Sequence, residues 1–497
     1  MDCLFRDLRC QLACPHASAV VFKKGMHVIA KVWDENHERW KRIAQGKAGV
    51  DDAEVIQKAL DSLTPNRSWK ERVVLKGDFK VQSDIKVPNY TVLDIKGKLD
   101  ASAKSSRVLI TNKDTVPKFM EIIGGELVNV QPRFVSPREQ DYGKNITIKD
   151  CYIHDIVDSW GLGVIHCKNV LIKNIHVENT KYHGVRVNRV KNCRIKDCTV
   201  INCGQDKDFA SQGIEISGYD DGTDLAQGIC VDVRVINNYV EGSKETGIEI
   251  LGGENIRVAN NTIRSVYKSG IWVVVWNIDK YVDYAKNIII KDNTIIDASN
   301  HPDRDYPGIW INGQDDTGAS LISDILVINN YVENVHGVGG EAKGIDIRYV
   351  KGKNILVMKN TVKDIDNEGI RAYRSANFKI TDNYIDVDTV PTPIAVYEST
   401  DYIIRRNVGY LTENSGTATI TGDGTATTFT KDIDHGLVKD KLVAKITLDR
   451  EGTVDKVYLV DKDGDGFKEA LRVVVTYATA PADGEEVPIY WEAEVVS

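Results

Sequence analysis

No stretch of this chain approaches the ~18 consecutive apolar residues that a membrane helix needs, so no membrane span is expected. Positive charge is not in excess either. Across 497 residues, 64 Lys and Arg stand against 72 Asp and Glu, a formal net of −8. That balance argues against a nucleic-acid partner, because such affinity rests on neutralising phosphates. Proline is scarce, 12 against 39 glycines, which suits many turns and few stiff linkers. The nine cysteines contain no CxxC pair, and the stretch from Cys3 to His16 lacks the usual spacing of zinc ligands. No clear signal peptide is present: Asp2, Arg6, Asp7 and Arg9 interrupt any apolar segment, although Ala17-Ser18-Ala19 would pass as a cleavage site. Residues 1–19 therefore read as an unstructured leader.

What the chain has is repetition. One phrase is Gly-Ile-x-Ile: GVRV at Gly184, GIEI at Gly213 and Gly247, GIWV at Gly270, GIWI at Gly308, GIDI at Gly344 and GIRA at Gly369. A second phrase, N-x-x-[IV]-x-x-N-x-[IV], follows each, as in NIRVANNTI from Asn255 and NILVMKNTV from Asn354. Both alternate apolar and polar residues with strand periodicity. Neither is long enough to form a sheet alone, whereas stacking each strand on its counterpart one repeat away buries a continuous core. The fold class expected is all-β: a right-handed parallel β-helix over residues 49–410, with coils ~4.8 Å apart.

Two polar columns support that register. One runs Cys151, Ile175, Cys198, Asn238, Asn261, Asn293, Asn330, Asn360, Asn383, Asn407. Asn there tolerates the left-handed turn that a sharp bend needs, and its amide can bond to the next coil. The other, six residues earlier, runs from Asn145 through Asn169, Asn192, Asp232, Asn255, Asn287, Asp324, Asn354 and Asn377 to Asp401. Cys151 and Cys198 stand where Asn stands elsewhere and read as buried, reduced thiols.

Ahead of the coils, residues 20–48 look like a short β segment. Within residues 49–63, Val55, Ile56, Ala59, Leu60 and Leu63 share one helical face, and such a helix would cap the open solenoid end. After residue 410 the repeat stops, and residues 411–497 read as a small antiparallel β-sandwich. It contains Asp461, Asp463, Asp465 and Glu469 around Gly466, oxygen donors spaced as in a structural calcium loop, with Arg472 where an EF-hand has Glu. The strand-like flanks resemble the calcium loops of β-propeller repeats.

The phrase from Gly49, with Asp51, Asp52, Ile56, Gln57 and Ala59, resembles the N-terminal cap G-x-D-D-x-x-x-[IV]-Q-x-A of the pectate-lyase-like superfamily. That superfamily holds polysaccharide-active β-helices and viral tailspikes. The resemblance covers roughly residues 45 to 410 and implies a polysaccharide partner, an extracellular or virion-associated location and, for a tailspike, a homotrimer.

Function is expected on the outward x column of Gly-Ile-x-Ile: Gly163, Arg186, Glu215, Glu249, Trp272, Trp310, Asp346, Arg371, Ala395. The next outward column contains Asn188, Ser217, Leu251, Val274, Asn312, Arg348, Tyr373 and Tyr397. The glycines are expected to face outward as a bare trough beside these columns. Glu215 and Glu249, one coil apart, cannot both ionise easily, and a proton-sharing pair suits glycoside hydrolysis. Trp272 and Trp310 offer platforms for sugar rings. Arg186, Asp346, Arg348, Arg371 and Tyr373 are further candidates for substrate contact, the arginines for uronate or sulfate groups. His183 and Tyr182 support an alternative, β-elimination or C5 epimerisation of a uronate, with His183 as base. The superfamily resemblance implies such chemistry for alginate-modifying members, but their Asp-Pro-His motif is absent, as are the Asn-Thr-Asp and Gly-His-Gly motifs of polygalacturonases. A third reading is a non-catalytic glycan-binding spike, since the tail beginning GTATITGDGT resembles those on virion structural proteins. Loops from Tyr219 to Asp232, Trp276 to Lys286, Asn300 to Pro307 and Gln314 to Ser323 would wall the groove.

Overall fold

The computed structural model describes residues 17–50, 52–137, 141–205, 211–218, 228–275, 277–278, 281–282, 284–314, 321–438, 442–462 and 467–495. Three parallel walls of short strands wind into a right-handed β-helix. One coil shows the plan: Val185–Asn188, Lys191–Lys196 and Thr199–Cys203 each lie on a different wall. Every strand pairs in parallel with its counterpart in the next coil. The inward positions are aliphatic almost throughout and form one continuous core from Ala19 to Ile394. That is why strands of three to seven residues are stable: each buries its apolar face only through its neighbours.

The corner between the Lys191–Lys196 wall and the Thr199–Cys203 wall keeps constant length, two residues in coil after coil. It is built on the asparagine ladder. Asn238, Asn261, Asn293, Asn330, Asn360 and Asn383 are buried, and each donates Nδ2 to the Oδ1 of the next coil's asparagine at 2.8–3.0 Å. Each also donates to a main-chain carbonyl, as Asn293 does to Val258. The turn itself is not made by these residues, contrary to the expectation. The residue just before takes the left-handed conformation: Asn237, Asn260, Asp292 and Asn329, with φ of 58°, 56°, 55° and 55°. A ladder side chain must point inward to stack, so the bend falls on its neighbour. The second Asx column, Asn145 through Asp401, is left-handed in all ten coils. Cys151 and Cys198 are buried in the ladder column, where their thiols donate to the carbonyls of Lys149 and Lys196 at 3.2 Å.

The glycine column differs from the expected outward trough. A Cβ on Gly184 would fall 2.4 Å from Val200 Cγ1 and 2.7 Å from the Gly213 carbonyl oxygen, and Gly213, Gly247 and Gly308 repeat the pattern. The glycines form a tight corner against the core, where no side chain fits between stacked backbones.

The N-terminal end is closed by a hairpin and a helix. Strand β1 (Ala19–Lys24) pairs antiparallel with β2 (His27–Asp34), which pairs with β3 (Arg39–Lys47), while β1 also pairs in parallel with β4 (Glu71–Lys80). Ala19 is thus already strand; residues 1–16 of the expected leader lie outside the described residues. Helix α1 (Ala53–Asp61) buries Val55, Ile56, Ala59 and Leu60 against the first coils. Buried Asp52 accepts from the Lys80 and Gly49 amides at 2.9 and 3.1 Å. Gln57 receives the Lys86 amide and donates to its carbonyl, at 2.8 and 3.0 Å. Lys86 lies on the edge strand of the third wall, so the motif's Asp and Gln satisfy backbone groups that an open edge would leave bare.

Two three-stranded antiparallel sheets follow from Glu413, packed over Ile433, Val473, Val475, Ile489 and Trp491. Among the described residues no helix is long and apolar enough to cross a membrane.

Candidate functional site

The third wall carries the chemistry, and its register is direct. Arg186 pairs with Glu215, Glu215 with Glu249, Glu249 with Trp272, Trp272 with Trp310, Trp310 with Asp346, and Asp346 with Arg371. Asn312, Arg348 and Tyr373 align in the same way two residues along. Side chains far apart in sequence therefore stand at one-coil intervals on one outer surface, because alternation turns the intervening aliphatics inward.

At the centre are two carboxyl groups in unlike surroundings. Glu215, 3% exposed, has His183 Nε2 2.9 Å and Arg186 Nε 3.1 Å from its carboxylate. Burial alone would push its carboxyl up, but the Arg186 charge, the His183 ring and the Ser217 hydroxyl outweigh it and hold the group at about 2. Glu249, one coil on and 5% exposed, has no such partner among the described residues. Burial, then the Glu215 charge, then Glu245 push its carboxyl well above the ordinary range, with Lys268 and Arg186 opposing only in part. Lys268 is tied to Glu245 in an ion pair of its own. The two carboxyl groups are therefore pushed in opposite directions, Glu215 toward the anion and Glu249 toward the protonated acid.

His183 does not have the freedom expected of a base. Its Nδ1 accepts the Gln212 amide at 3.1 Å, which places the ring proton on Nε2, facing Glu215. Its one lone pair is already in use, so the base role is corrected to that of a donor fixing Glu215. Tyr182 stands half-buried at the rim with the Lys181 ammonium 5.3 Å from its ring centre.

Trp160 was not among the expected site residues. The Arg186 guanidinium lies 4.4 Å from its ring centre and that of Arg133 5.0 Å. Arg186 is thus clamped between an indole face and Glu215. Gly163 permits this, since a Cβ there would sit 2.9 Å from Trp160 Cε3. The one signal in the sequence was glycine at an outward position that elsewhere carries bulk.

Trp272 and Trp310 stack on each other, ring centres 4.7 Å apart and planes 9° from parallel. One face of each is consumed by the other, which narrows the expected platform. Tyr306 meets Trp310 edge-on at 6.1 Å. Both indole N–H groups are buried without a partner among the described residues.

Further along, Arg371 holds Asp346 bidentately, Nε and Nη2 at 2.9 and 2.6 Å. Arg348 lies between Tyr349 and Tyr373, 5.1 and 5.4 Å from their ring centres. In the sandwich, Asp463 and Asp465 lie outside the described residues, and Glu469 Oε1 accepts the Lys462 amide at 2.6 Å. Among the described residues no three metal-binding side chains converge. Of the expected groove loops, residues 219–227, 276, 279–280, 283 and 315–320 are likewise outside the description.

Comparison with known proteins agrees with the fold. A family described as a right handed beta helix region matches residues 136–223. The uncharacterized protein YclG of Bacillus subtilis (strain 168) is 27% identical over 177 residues, 35% of this chain and 25% of that protein. The match thus spans about a quarter of that relative's length. The tailspike protein of E. coli bacteriophage HK620, in complex with a pentasaccharide, superimposes with a TM-score of 0.51 at 10% identity, over 90% of each chain. A double mutant of it, also with pentasaccharide, gives 0.52 at 11%, again over 90% of each.

Proposed function

This chain is a right-handed parallel β-helix protein, and we propose that it cleaves a polysaccharide by hydrolysis with retention of configuration. The observation that carries the reading is the unlike surroundings of two buried carboxyl groups on neighbouring coils, Glu215 faced by Arg186 and His183 and Glu249 by neither at ion-pair distance among the described residues. Glu249 is pushed toward its protonated form and so is suited to give a proton to a glycosidic oxygen. Glu215 is held too acidic to take a proton from water, so its chemistry is that of a fixed anion facing the anomeric carbon. Neighbouring coils place the two backbones ~4.8 Å apart, which suits the ~5–5.5 Å carboxyl spacing of retaining rather than inverting enzymes.

The steps balance. Glu215 forms a bond to the anomeric carbon as the glycosidic C–O bond breaks and the leaving oxygen takes the Glu249 proton. Water then gives a proton to the ionised Glu249 while its oxygen displaces Glu215. Arg186 and His183 hold Glu215 ionised between turnovers, and Trp160 fixes Arg186. The uronate lyase and epimerase reading is weaker, because His183 has no free lone pair. The HK620 tailspike, which shares the fold, was solved with a pentasaccharide, in line with a glycan along this wall and with work outside the cell or on a virion.

The test is Glu249→Gln, assayed on a panel of neutral and acidic polysaccharides. Reducing ends should form with the unchanged chain, without the absorbance of unsaturated products, and should fall at least about 100-fold in the variant while glycan binding persists. Turnover at the unchanged rate would make the pair a scaffold rather than an active site.

A further inference from the structure

We infer that Arg348 is an anion subsite, so that the polysaccharide carries a carboxylate or sulfate group a few sugar units from the bond that is cleaved. This deepens the proposed function and rests on its premise that a glycan runs along the third wall.

Among the described residues, Arg371, Arg374, Lys343 and Arg348 stand at this end of the wall, and the first three have carboxylate neighbours. Arg371 is locked on Asp346. Arg374 pairs with Glu398 at 2.7 Å. Lys343 has Glu341 and Glu368 within 3.6 and 3.7 Å. Arg348 has no ion pair or hydrogen bond to its guanidinium among the described residues, and its Nε is buried without an acceptor. Other buried arginine Nε atoms are also without an acceptor, but Arg107 has a carboxylate neighbour in Asp158 and Arg186 has one in Glu215; at Arg348 the unmet donor coincides with an unmet charge, which points to an anion supplied from outside.

The surroundings define that partner. A guanidinium is a planar fork that matches a carboxylate or sulfate through paired N–H donors. Tyr349 and Tyr373 flank it, meeting each other edge to face at 5.6 Å, and offer apolar ring surface beside the charge. That combination fits an anionic sugar better than a free ion. In the register, Arg348 shares a coil with Asp346, which stands three coils from Glu249. Three coils at ~4.8 Å put it about 14 Å along the axis from the acid, too far for the ring being cleaved and near enough for the same chain. Between them lie the stacked tryptophans, whose two N–H groups have no partner among the described residues.

The experiment is equilibrium binding rather than turnover, so that it stands apart from the hydrolytic reading. Hexasaccharides of galacturonate, mannuronate, hyaluronan and chondroitin sulfate are titrated into the full chain, alongside neutral cello- and maltohexaose and carboxyl-reduced versions of the uronates. At least one anionic probe should bind. Arg348→Gln should weaken it by about 10- to 100-fold, the effect of losing a charge-assisted pair. Carboxyl reduction or desulfation should weaken it alike, and affinity should fall with added salt. Arg374→Gln, removing a paired cation, should change it less than about threefold. Near-ultraviolet and far-ultraviolet circular dichroism of Arg348→Gln should match the parent, which separates lost recognition from lost folding. The inference is overturned if no anionic probe binds, if only neutral glycans bind, or if Arg348→Gln binds within twofold of the parent. If Glu249→Gln leaves turnover intact but the Arg348 effect stands, hydrolysis by the pair fails and the subsite does not.

Discussion

Two isosteric substitutions one coil apart should move stability in opposite directions. Glu215→Gln removes a carboxylate that Arg186 and His183 share. Breaking a buried ion pair from one side costs about 3–5 kcal/mol. Linkage gives a similar size: from an ordinary value of 4.5 to about 2 is 2.5 units, or about 3 kcal/mol. A carboxyl whose folded value is lowered contributes stability above its unfolded value and loses it as pH falls. The Glu215 contribution should therefore be complete above about pH 5 and fade toward pH 2. Glu249 has the reverse sign, since its folded value is raised by burial and by the Glu215 charge. The folded chain keeps a proton that the unfolded chain releases, so stability drops as pH climbs past 4.5, by up to about 1.4 kcal/mol per pH unit until the folded value is reached. Glutamine never ionises and escapes that loss. Glu249→Gln should match the parent near pH 4 and become progressively more stable than it as the pH rises toward 7. Guanidinium unfolding followed by far-ultraviolet circular dichroism at pH 4, 5, 6 and 7 measures both. Equal stabilities of the parent and Glu249→Gln at pH 7, or a Glu215→Gln variant as stable as the parent there, would refute the assigned charges.

The interior ladder should be far more sensitive than the exposed Asx column. Asn293→Ala leaves the buried Asn261 amide and one Asn261 Nδ2 hydrogen without acceptors, a loss of about 2–5 kcal/mol. Asn255→Gly, at an exposed left-handed position, should cost less than about 1 kcal/mol, and hydrogen exchange across residues 255–295 would read both. The thiols of Cys151, Cys203 and Cys230 are each pushed up by burial to about 12. Iodoacetamide at pH 8 should leave all three unlabelled in the folded chain and label them in guanidinium, as site-resolved mass spectrometry would show.

The register was readable because two independent periodicities agree. Aliphatic alternation fixes which side chains turn inward, and the Asx columns fix which coil follows which. Together they placed Arg186, Glu215, Glu249, Trp272, Trp310, Asp346 and Arg371 in the order seen. What escaped depends on the cross-section of a coil rather than on its length. The direction of the glycine column needs the angle of the corner. The use of the His183 lone pair needs Gln212, which follows an expanded loop. Trp160 belongs to none of the repeated phrases, and the stacking of Trp272 on Trp310 depends on ring angles that one-dimensional spacing does not carry. The division of charge between Glu215 and Glu249 follows from Arg186 standing on one side of the pair only.

The constant two-residue corner has a consequence for how such a molecule changes. Extra residues enter only at the two margins of the wall that holds Glu215 and Glu249, between Cys203 and Ile214 or Ala298 and Ile309 on one side, and between Ser217 and Val231 or Asn312 and Ile322 on the other. The asparagine hinge absorbs none of them. A lineage can therefore lengthen, shorten or swap the segments bordering its acids without re-threading a strand, so what the surface selects and what makes the chain fold are free to diverge independently.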